Sequence, residues 1–247
     1  MMHDAHAIEN ATKLRLSDLP GPVLILAPHA DDESLGCGGL IAALAEENIP
    51  VHVWLVSDGT MSHPNSVAFP PEQRRSIREE EFNRACQRLG VAFERLQFFR
   101  FPDTRVPLPG APYFADAATQ VAEKLRELNP KAIFTPWRRD PHCDHRATTA
   151  LIRTAIFQTN WKGDLYEYPI WLYELAARSD VPRPDEVEVL TFELDENLLF
   201  KKKKAIETHA SQLGQIIHDD PKAFSLQPQV LAHFLTPTEY YYRSHEQ

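Results

Sequence analysis

The sequence predicts an α/β protein: a mostly parallel open sheet with helices on both faces. Two observations predict it. Short apolar-rich runs at Val23–Ala27, Val51–Val56, Leu96–Phe101 and Ala132–Thr135 alternate with segments of helical periodicity through the first two thirds of the chain. Each run then ends in a polar turn, at 28–34, 57–60, 102–105 and 138–145. Runs with little polar alternation suit strands buried on both faces, as in parallel sheets. Ligands of such sheets bind beyond the carboxyl ends of the strands, so the four turns are expected to converge on one rim.

Taken in order, residues 1–20 form a polar lead-in before Pro20-Gly21-Pro22. After the first strand, Gly36-Cys37-Gly38-Gly39 reads as a small-residue turn and Leu40–Glu47 as the first helix. Pro50 resets the chain for Val51–Val56. The stretch from Met61 to Pro71, rich in Pro, Ser and Asn, is long enough to be a lid or site wall. Gln73–Leu89 is a helix closed by Gly90. Leu96–Phe101 follows, then a proline-rich loop from Val106 to Pro112. Ala115–Leu128 is a helix stopped by Asn129-Pro130, and Arg146–Gln158 is another. Asp164–Tyr168, Trp171–Leu175 and Val187–Leu194 read as strands, and Asn197 through Ile217 as helical. Tyr240–Tyr242 reads as an edge strand or as a contact between copies in a homo-oligomer. One domain is expected over 1–247, with 176–247 a C-terminal elaboration.

Composition narrows the function. With 43% hydrophobic and 25% charged residues, the chain can build an ordinary globular core. A net charge of −9 and no basic stripe argue against a nucleic-acid partner. Cys37, Cys86 and Cys143 are odd in number and far apart, which suits a reducing compartment and no disulfide framework. No secretory pattern opens the sequence and no apolar run reaches membrane-spanning length, so a cytoplasmic location is expected.

The first polar turn carries the chemistry. Pro28-His29-Ala30-Asp31-Asp32-Glu33 sets one imidazole and three carboxylates at a strand end. Such a cluster is costly beside a core unless neutralised, and a divalent cation is the simplest neutraliser. The fold rule brings His145 to the same rim. Two imidazoles and one carboxylate, with a water in the open position, make a catalytic zinc shell, and a spare carboxylate can take the water's proton. Asp31 and Asp32 point in different directions from an extended backbone, so one can ligate while the other acts as base. His142 and His145, three apart, can share a helix face. The residues leave open whether both bind metal. Asp144 is placed to fix an imidazole tautomer.

Ala27-Pro28-His29-Ala30-Asp31-Asp32-Glu33 and Asp140-Pro141-His142-Cys143-Asp144-His145 resemble the two signature motifs of the PIG-L/LmbE-like family of metal-dependent de-N-acetylases. Arg78-Glu79-Glu80-Glu81-Phe82 with Leu89-Gly90, then Phe101-Pro102-Asp103, and Lys204 with His209-Ala210-Ser211-Gln212, extend the likeness along most of the chain. The resemblance implies a Rossmann-like fold and removal of an acetyl group from an N-acetylated sugar or glycoconjugate of the N-acetylglucosaminyl type. It implies His29, Asp32 and His145 as ligands of zinc, although Fe2+ or another divalent transition metal suits the same shell. Asp31 would be the general base. His142, oriented by Asp144, would stabilise the oxyanion and help protonate the leaving amine. Arg78 and Asp103 would bind sugar hydroxyls or a neighbouring group. Ala30 stands where the family has proline, which would stiffen the strand exit.

Three competing readings are weaker. Gly36-Cys37-Gly38-Gly39 with Asp58 suggests a dinucleotide loop, but Ile41 replaces the third glycine and the carboxylates repel a pyrophosphate. His29, Asp31 and His145 fit the facial triad of a non-haem iron oxygenase, but the long helices argue against its usual scaffold. A non-catalytic metal- or sugar-binding member of the same fold would not need Asp31. Elsewhere, Cys143 reads as a bystander thiol, Cys37 and Cys86 as packing residues, and Lys201–Lys204 as a solvated helix face with Lys204 in the family pattern. Trp137 lines a pocket or joins the core. His209 either approaches the site or packs.

Overall fold

The computed structural model describes residues 11–245. Its strands are β1 (Thr12–Lys13), β2 (Val23–Ala27), β3 (Val51–Ser57), β4 (Leu96–Phe101), β5 (Ala132–Pro136), β6 (Asp164–Tyr168), β7 (Val187–Glu193) and β8 (Thr238–Ser244). Its α-helices are α1 (Asp32–Glu46), α2 (Pro71–Arg88), α3 (Phe114–Leu128), α4 (Cys143–Thr159), α5 (Glu196–Ile206) and α6 (Pro228–Phe234). One mixed sheet runs β1-β7-β8-β6-β5-β2-β3-β4. The run from β6 to β4 is parallel, as expected, and β8 is antiparallel to both β6 and β7.

Alternation along each strand splits the core into two layers. Val23, Ile25, Val53 and Phe134 face a layer with α1, α2 and α5. Leu24, Leu26, Trp54 and Ile133 face a layer with α3 and α4. Helices thus cover both faces. From β2 the chain moves to β3 and β4 on one side, whereas β5 and β6 lie on the other. The strand order therefore reverses between β2 and β5. Val23 pairs with Ala132 and Ile25 with Phe134, so their carboxyl ends leave the sheet side by side.

Four expectations need correction. The glycine run is not a turn, because α1 starts at Asp32 and carries it. Glycine is required there by close packing: an added Cβ would sit 2.3 Å from the Tyr168 ring at Gly36 and 2.2 Å from Leu194 at Gly39. This also removes the dinucleotide loop. Tyr240–Tyr242 lies in β8, inside the sheet, with Tyr241 and Tyr242 fully buried, so it is neither an edge nor an exposed contact. Trp171–Leu175 is not a strand. Trp171–Tyr173 is a 3-10 turn, held where Asp140 Oδ2 accepts the Trp171 N–H at 2.9 Å. The helix expected through Ile217 stops at Ile206, because Glu81 takes the backbone N–H and hydroxyl of Ser211 at 2.7 and 2.6 Å and bends the chain inward. Residues 1–10 of the polar lead-in lie outside the described residues, while Thr12–Lys13 pair with β7.

Gly36→Ala is expected to destabilise the fold by about 1–3 kcal/mol through overpacking against Tyr168, despite alanine's better helix propensity. Urea unfolding of the purified variant measures it.

Candidate active site

Backbone ties shape the exit of β2. Pro28 O accepts the Ser57 N–H at 2.9 Å, fastening the exits of β2 and β3 together. His29 O accepts Asp32 N–H at 3.2 Å, while Asp32 Oδ2 accepts the His29 N–H at 2.9 Å. This closes a tight turn. Asp31, at its corner, has φ +150°, a conformation that strains any residue with a Cβ. Glu33 braces it: one carboxylate oxygen accepts the Asp31 N–H at 3.0 Å, and the other meets Ser34 Oγ at 2.6 Å and His209 Nε2 at 3.0 Å.

The exit of β5 is organised by Asp140, which is fully buried. It accepts the His142 N–H at 3.0 Å and lies 3.2 Å from His145 Nδ1. His142 is the N-cap of α4, its Nδ1 accepting the Asp144 N–H at 3.2 Å. His145 therefore sits in the first turn, facing β2.

The two exits meet at a triangle. His29 Nδ1 is 3.3 Å from Asp32 Oδ2, His145 Nε2 is 3.2 Å from Asp32 Oδ2, and the two imidazole nitrogens are 3.4 Å apart. Ligands about 2.0–2.1 Å from a tetrahedral ion have edges of roughly 3.3–3.4 Å, so these three atoms fit a divalent transition metal. Asp32, not Asp31, completes the triangle, which removes the facial triad of His29, Asp31 and His145. Nitrogens of His29, His142 and His145 also lie within 4.8 Å of one another.

The other nitrogen of His29 is gripped as well. His29 Nε2 is 3.1 Å from Asp144 Oδ2 and 3.4 Å from Asp103 Oδ1. Asp144 further accepts the Thr104 and Val106 N–H groups at 2.7 and 3.2 Å. Its carboxylate therefore orients His29, and only its backbone N–H orients His142. Asp103 Oδ2 accepts the Met61 N–H at 2.9 Å. Asp103 thus secures His29 and the 61–71 loop while also lining the cavity. Arg78 differs: it is 3% exposed, donates to Ala30 O at 2.5 Å and lies 3.4 Å from Asp31 Oδ2, yet its Nε and Nη1 have no partner among the described residues.

Charge in the site is uneven. Asp31, Asp32, Asp103, Asp140 and Asp144 are all buried around three imidazoles, of His29, His142 and His145, and one guanidinium. Burial pushes the Asp31 carboxyl up to about 6, with Arg78 pulling it down and Asp32 raising it further. Burial pushes His145 down, but Asp32 and Asp140 outweigh it and hold the ring near 9. Burial, then His29 and His145, lower His142 to about 4. An acid-rich shell that binds positive charge this strongly is the electrostatic counterpart of a cation site.

These groups open onto a cavity of about 170 Å3, whose lining includes His29, Asp31, Arg78, Asp103 and His142. Met61 and Ser62 line it too, so the 61–71 loop is a site wall. Asp219 fixes that loop through Ser66 Oγ and the Val67 and Ala68 N–H groups at 2.7–2.8 Å. Sequence reasoning missed Asp140 and the bracing role of Glu33, although both stand in the two motifs. His209 is fully buried against Glu33, one residue behind the ligand turn. Of the lysine run, Lys202 is buried on Glu239 at 2.8 Å, whereas Lys201 and Lys204 keep the expected solvated face. Trp137 is core, its Nε1 donating to Asp180 O at 2.6 Å. Cys143 is half-buried, and Cys37 and Cys86 are buried packing residues.

The purified protein is expected to bind one equivalent of divalent transition metal. Asp144→Asn should weaken that affinity about 10–100-fold, read by competition with a chelating dye.

The sequence matches the family model described as GlcNAc-PI de-N-acetylase over residues 24–156. It is 30% identical over 199 residues to a probable N-acetyl-alpha-D-glucosaminyl L-malate deacetylase 2 of Bacillus anthracis, covering 78% of this chain and 81% of that protein. The fold is similar to that of the N,N'-diacetylchitobiose deacetylase of Pyrococcus horikoshii, with a TM-score of 0.65 and 21% identity over 96% of this chain and 85% of that one. It is also similar to teicoplanin deacetylase Orf2 in its zinc-inhibited form, with a TM-score of 0.65 and 19% identity over 91% of this chain and 99% of that one. With the motif residues His29–Glu33 and Asp140–His145 inside the matched span, the chain belongs to the PIG-L family of GlcNAc-PI de-N-acetylases.

Proposed function

We propose that this protein is a zinc-dependent de-N-acetylase that hydrolyses the acetamide of an N-acetylglucosamine-type sugar or conjugate. The observation that carries the reading is Asp31: a buried carboxyl beside the ligand triangle, outside it, and on the cavity wall. A site built only to bind metal or sugar has no need to hold a spare carboxylate in a strained backbone there. A probable N-acetyl-alpha-D-glucosaminyl L-malate deacetylase and a diacetylchitobiose deacetylase among the relatives support an N-acetylated sugar conjugate as the substrate.

His29, Asp32 and His145 would hold the ion, and two imidazoles with one carboxylate suit zinc. When bound, it would polarise the amide carbonyl and acidify a water. The chain's own groups do the rest. Asp31 takes the proton of the attacking water as a C–O bond forms. His142 is neutral, and because Nδ1 accepts from the Asp144 backbone, Nε2 carries the hydrogen. That N–H donates to the carbonyl oxygen as negative charge develops. The C–N bond then breaks, and the proton held by Asp31 goes to the departing amine. Acetate and a free amino sugar result. Arg78, on the cavity lining, is the cation that would meet sugar hydroxyls. Asp103 and Asp144 act through His29. Three free cysteines suit a reducing, cytoplasmic setting, and no described helix is long and apolar enough to cross a membrane.

Asp31→Asn is expected to lower kcat at least 100-fold with metal content unchanged, measured as primary-amine release from N-acetylglucosamine conjugates alongside metal analysis. Retained turnover would contradict the base assignment. Chelation should abolish wild-type activity, and zinc should restore it.

A further inference from the structure

One peptide unit sets the attitude of Asp31. The plane between Ala30 and Asp31 determines the φ of Asp31, and a value of +150° persists only where the surroundings enforce it. That plane is gripped at both ends. Its carbonyl, Ala30 O, accepts from Arg78 Nη2 at 2.5 Å, and its N–H donates to Glu33 Oε2 at 3.0 Å. Arg78 and Glu33 are both buried.

The Glu33 grip depends on a further residue. A glutamate carboxylate turns readily about its terminal bond, so its other oxygen must be tied as well. Two donors meet Glu33 Oε1: Ser34 Oγ at 2.6 Å and His209 Nε2 at 3.0 Å. Ser34 is the next residue of α1 and moves with Glu33. His209 lies 176 positions away and is fully buried. Among the described residues, it is the donor that ties this carboxylate to a distant part of the chain. Burial disfavours the charged ring, but Glu33 outweighs it and raises the His209 pKa, so Nε2 keeps its hydrogen. His209 Nδ1 makes no hydrogen bond among the described residues, which leaves the bond to Glu33 as the polar contact of the ring.

The helix that presents Arg78 also fixes His209. Glu81 accepts the N–H and hydroxyl of Ser211 at 2.7 and 2.6 Å, and the Gln212 N–H closes the turn onto His209 O at 2.9 Å. Arg78 and Glu81 are three apart on α2 and share a face. α2 therefore braces the Ala30–Asp31 peptide twice, directly through Arg78 and by way of Ser211, His209 and Glu33. We propose that His209 is a positioning residue for amide hydrolysis: by holding Glu33 on the Asp31 N–H, it keeps the base carboxyl aimed at the water beside the ligand triangle. Without that donor, Glu33 is free to turn with Ser34, the peptide relaxes toward an ordinary φ, and the Asp31 carboxyl swings away. His209 does not line the cavity, so it acts through Glu33 and not on the substrate. The inference rests on the amide-hydrolase reading and on Asp31 as its base.

The test compares metal-loaded wild-type protein with His209→Gln, which keeps an N–H donor near the place of Nε2, and His209→Leu, which has none. Amine release from an N-acetylglucosamine conjugate gives kcat and KM, alongside metal content and thermal unfolding. His209→Leu is expected to lower kcat about 10–100-fold, the loss that a misplacement of roughly 1 Å brings, with KM and metal content unchanged. His209→Gln is expected to stay within about three-fold of the wild-type kcat, because the hydrogen bond is kept. A purely structural role would neither separate kcat from KM nor be restored by a donor. Wild-type kcat in His209→Leu overturns the proposal. So does a fall in kcat that comes with lost metal, or one that glutamine does not relieve. Should the leucine variant fail to fold, His209→Asn, whose amide stops short of Glu33, takes its place with the same expectations. In each of these cases the wild-type activity and the deacetylase reading stand. Wild-type protein inactive on every N-acetyl amide overturns that reading and this inference together.

Discussion

The imidazole of His29 is held at both nitrogens, and the rest of the site is arranged about that ring. On one side Nδ1 faces Asp32 and His145. On the other Nε2 faces Asp144 and Asp103. Five buried aspartates gathered around three imidazoles and a guanidinium cannot be a passive packing solution, because unneutralised buried charge is among the costliest features a fold can carry. A doubly charged ion at the triangle would resolve the excess. Hydrogen-bond donors from the Thr104, Val106 and Met61 backbones absorb what remains. The charge balance, the triangle's edge lengths and the positions of the loops are thus parts of one constraint.

The sheet topology makes this meeting inevitable. β2 and β5 are neighbours in register at the point where strand order reverses, so residues more than a hundred positions apart leave the sheet together. The helix that carries Asp32 must then be fixed precisely in depth. Its glycines let Tyr168 and Leu194 press against the backbone. Buried Glu239, on β8, accepts the Gly39 and Leu40 N–H groups at 2.8 and 2.9 Å and is neutralised by Lys202 of α5. The C-terminal elements therefore serve the centre twice. They position α1 from behind, and through Trp171, Val230 and Phe234 they shape the space in front of it.

The central strands β2, β3 and β5 were legible because they are short and apolar at nearly every position and each ends in a polar turn. The motif was legible because its ionisable residues crowd a strand exit. The missed features share a physical origin. Gly36 to Gly39 looks like a turn by composition, yet glycine there answers a close approach by Tyr168 and Leu194, which only the tertiary fold reveals. Lys202 sits in a run of lysines that reads as solvated, and only β8 supplies the partner that buries it. Tyr240–Tyr242 carries no sign of its internal place, because that place is set by pairing with β6 on one edge and β7 on the other. Asp144 shows the same limit within the site. Its position in the motif implied a partner for His142, but the loop after β4 turns its carboxylate onto His29.

The central claim is that one ion sits where β2 and β5 leave the sheet. Anomalous X-ray scattering at the zinc edge, on crystals of the metal-loaded protein, tests it most directly. One peak about 2.0–2.1 Å from each of His29 Nδ1, Asp32 Oδ2 and His145 Nε2 is the predicted result. A peak on the opposite side of the His29 ring, between Asp103 and Asp144, would contradict it, as would no peak at the rim.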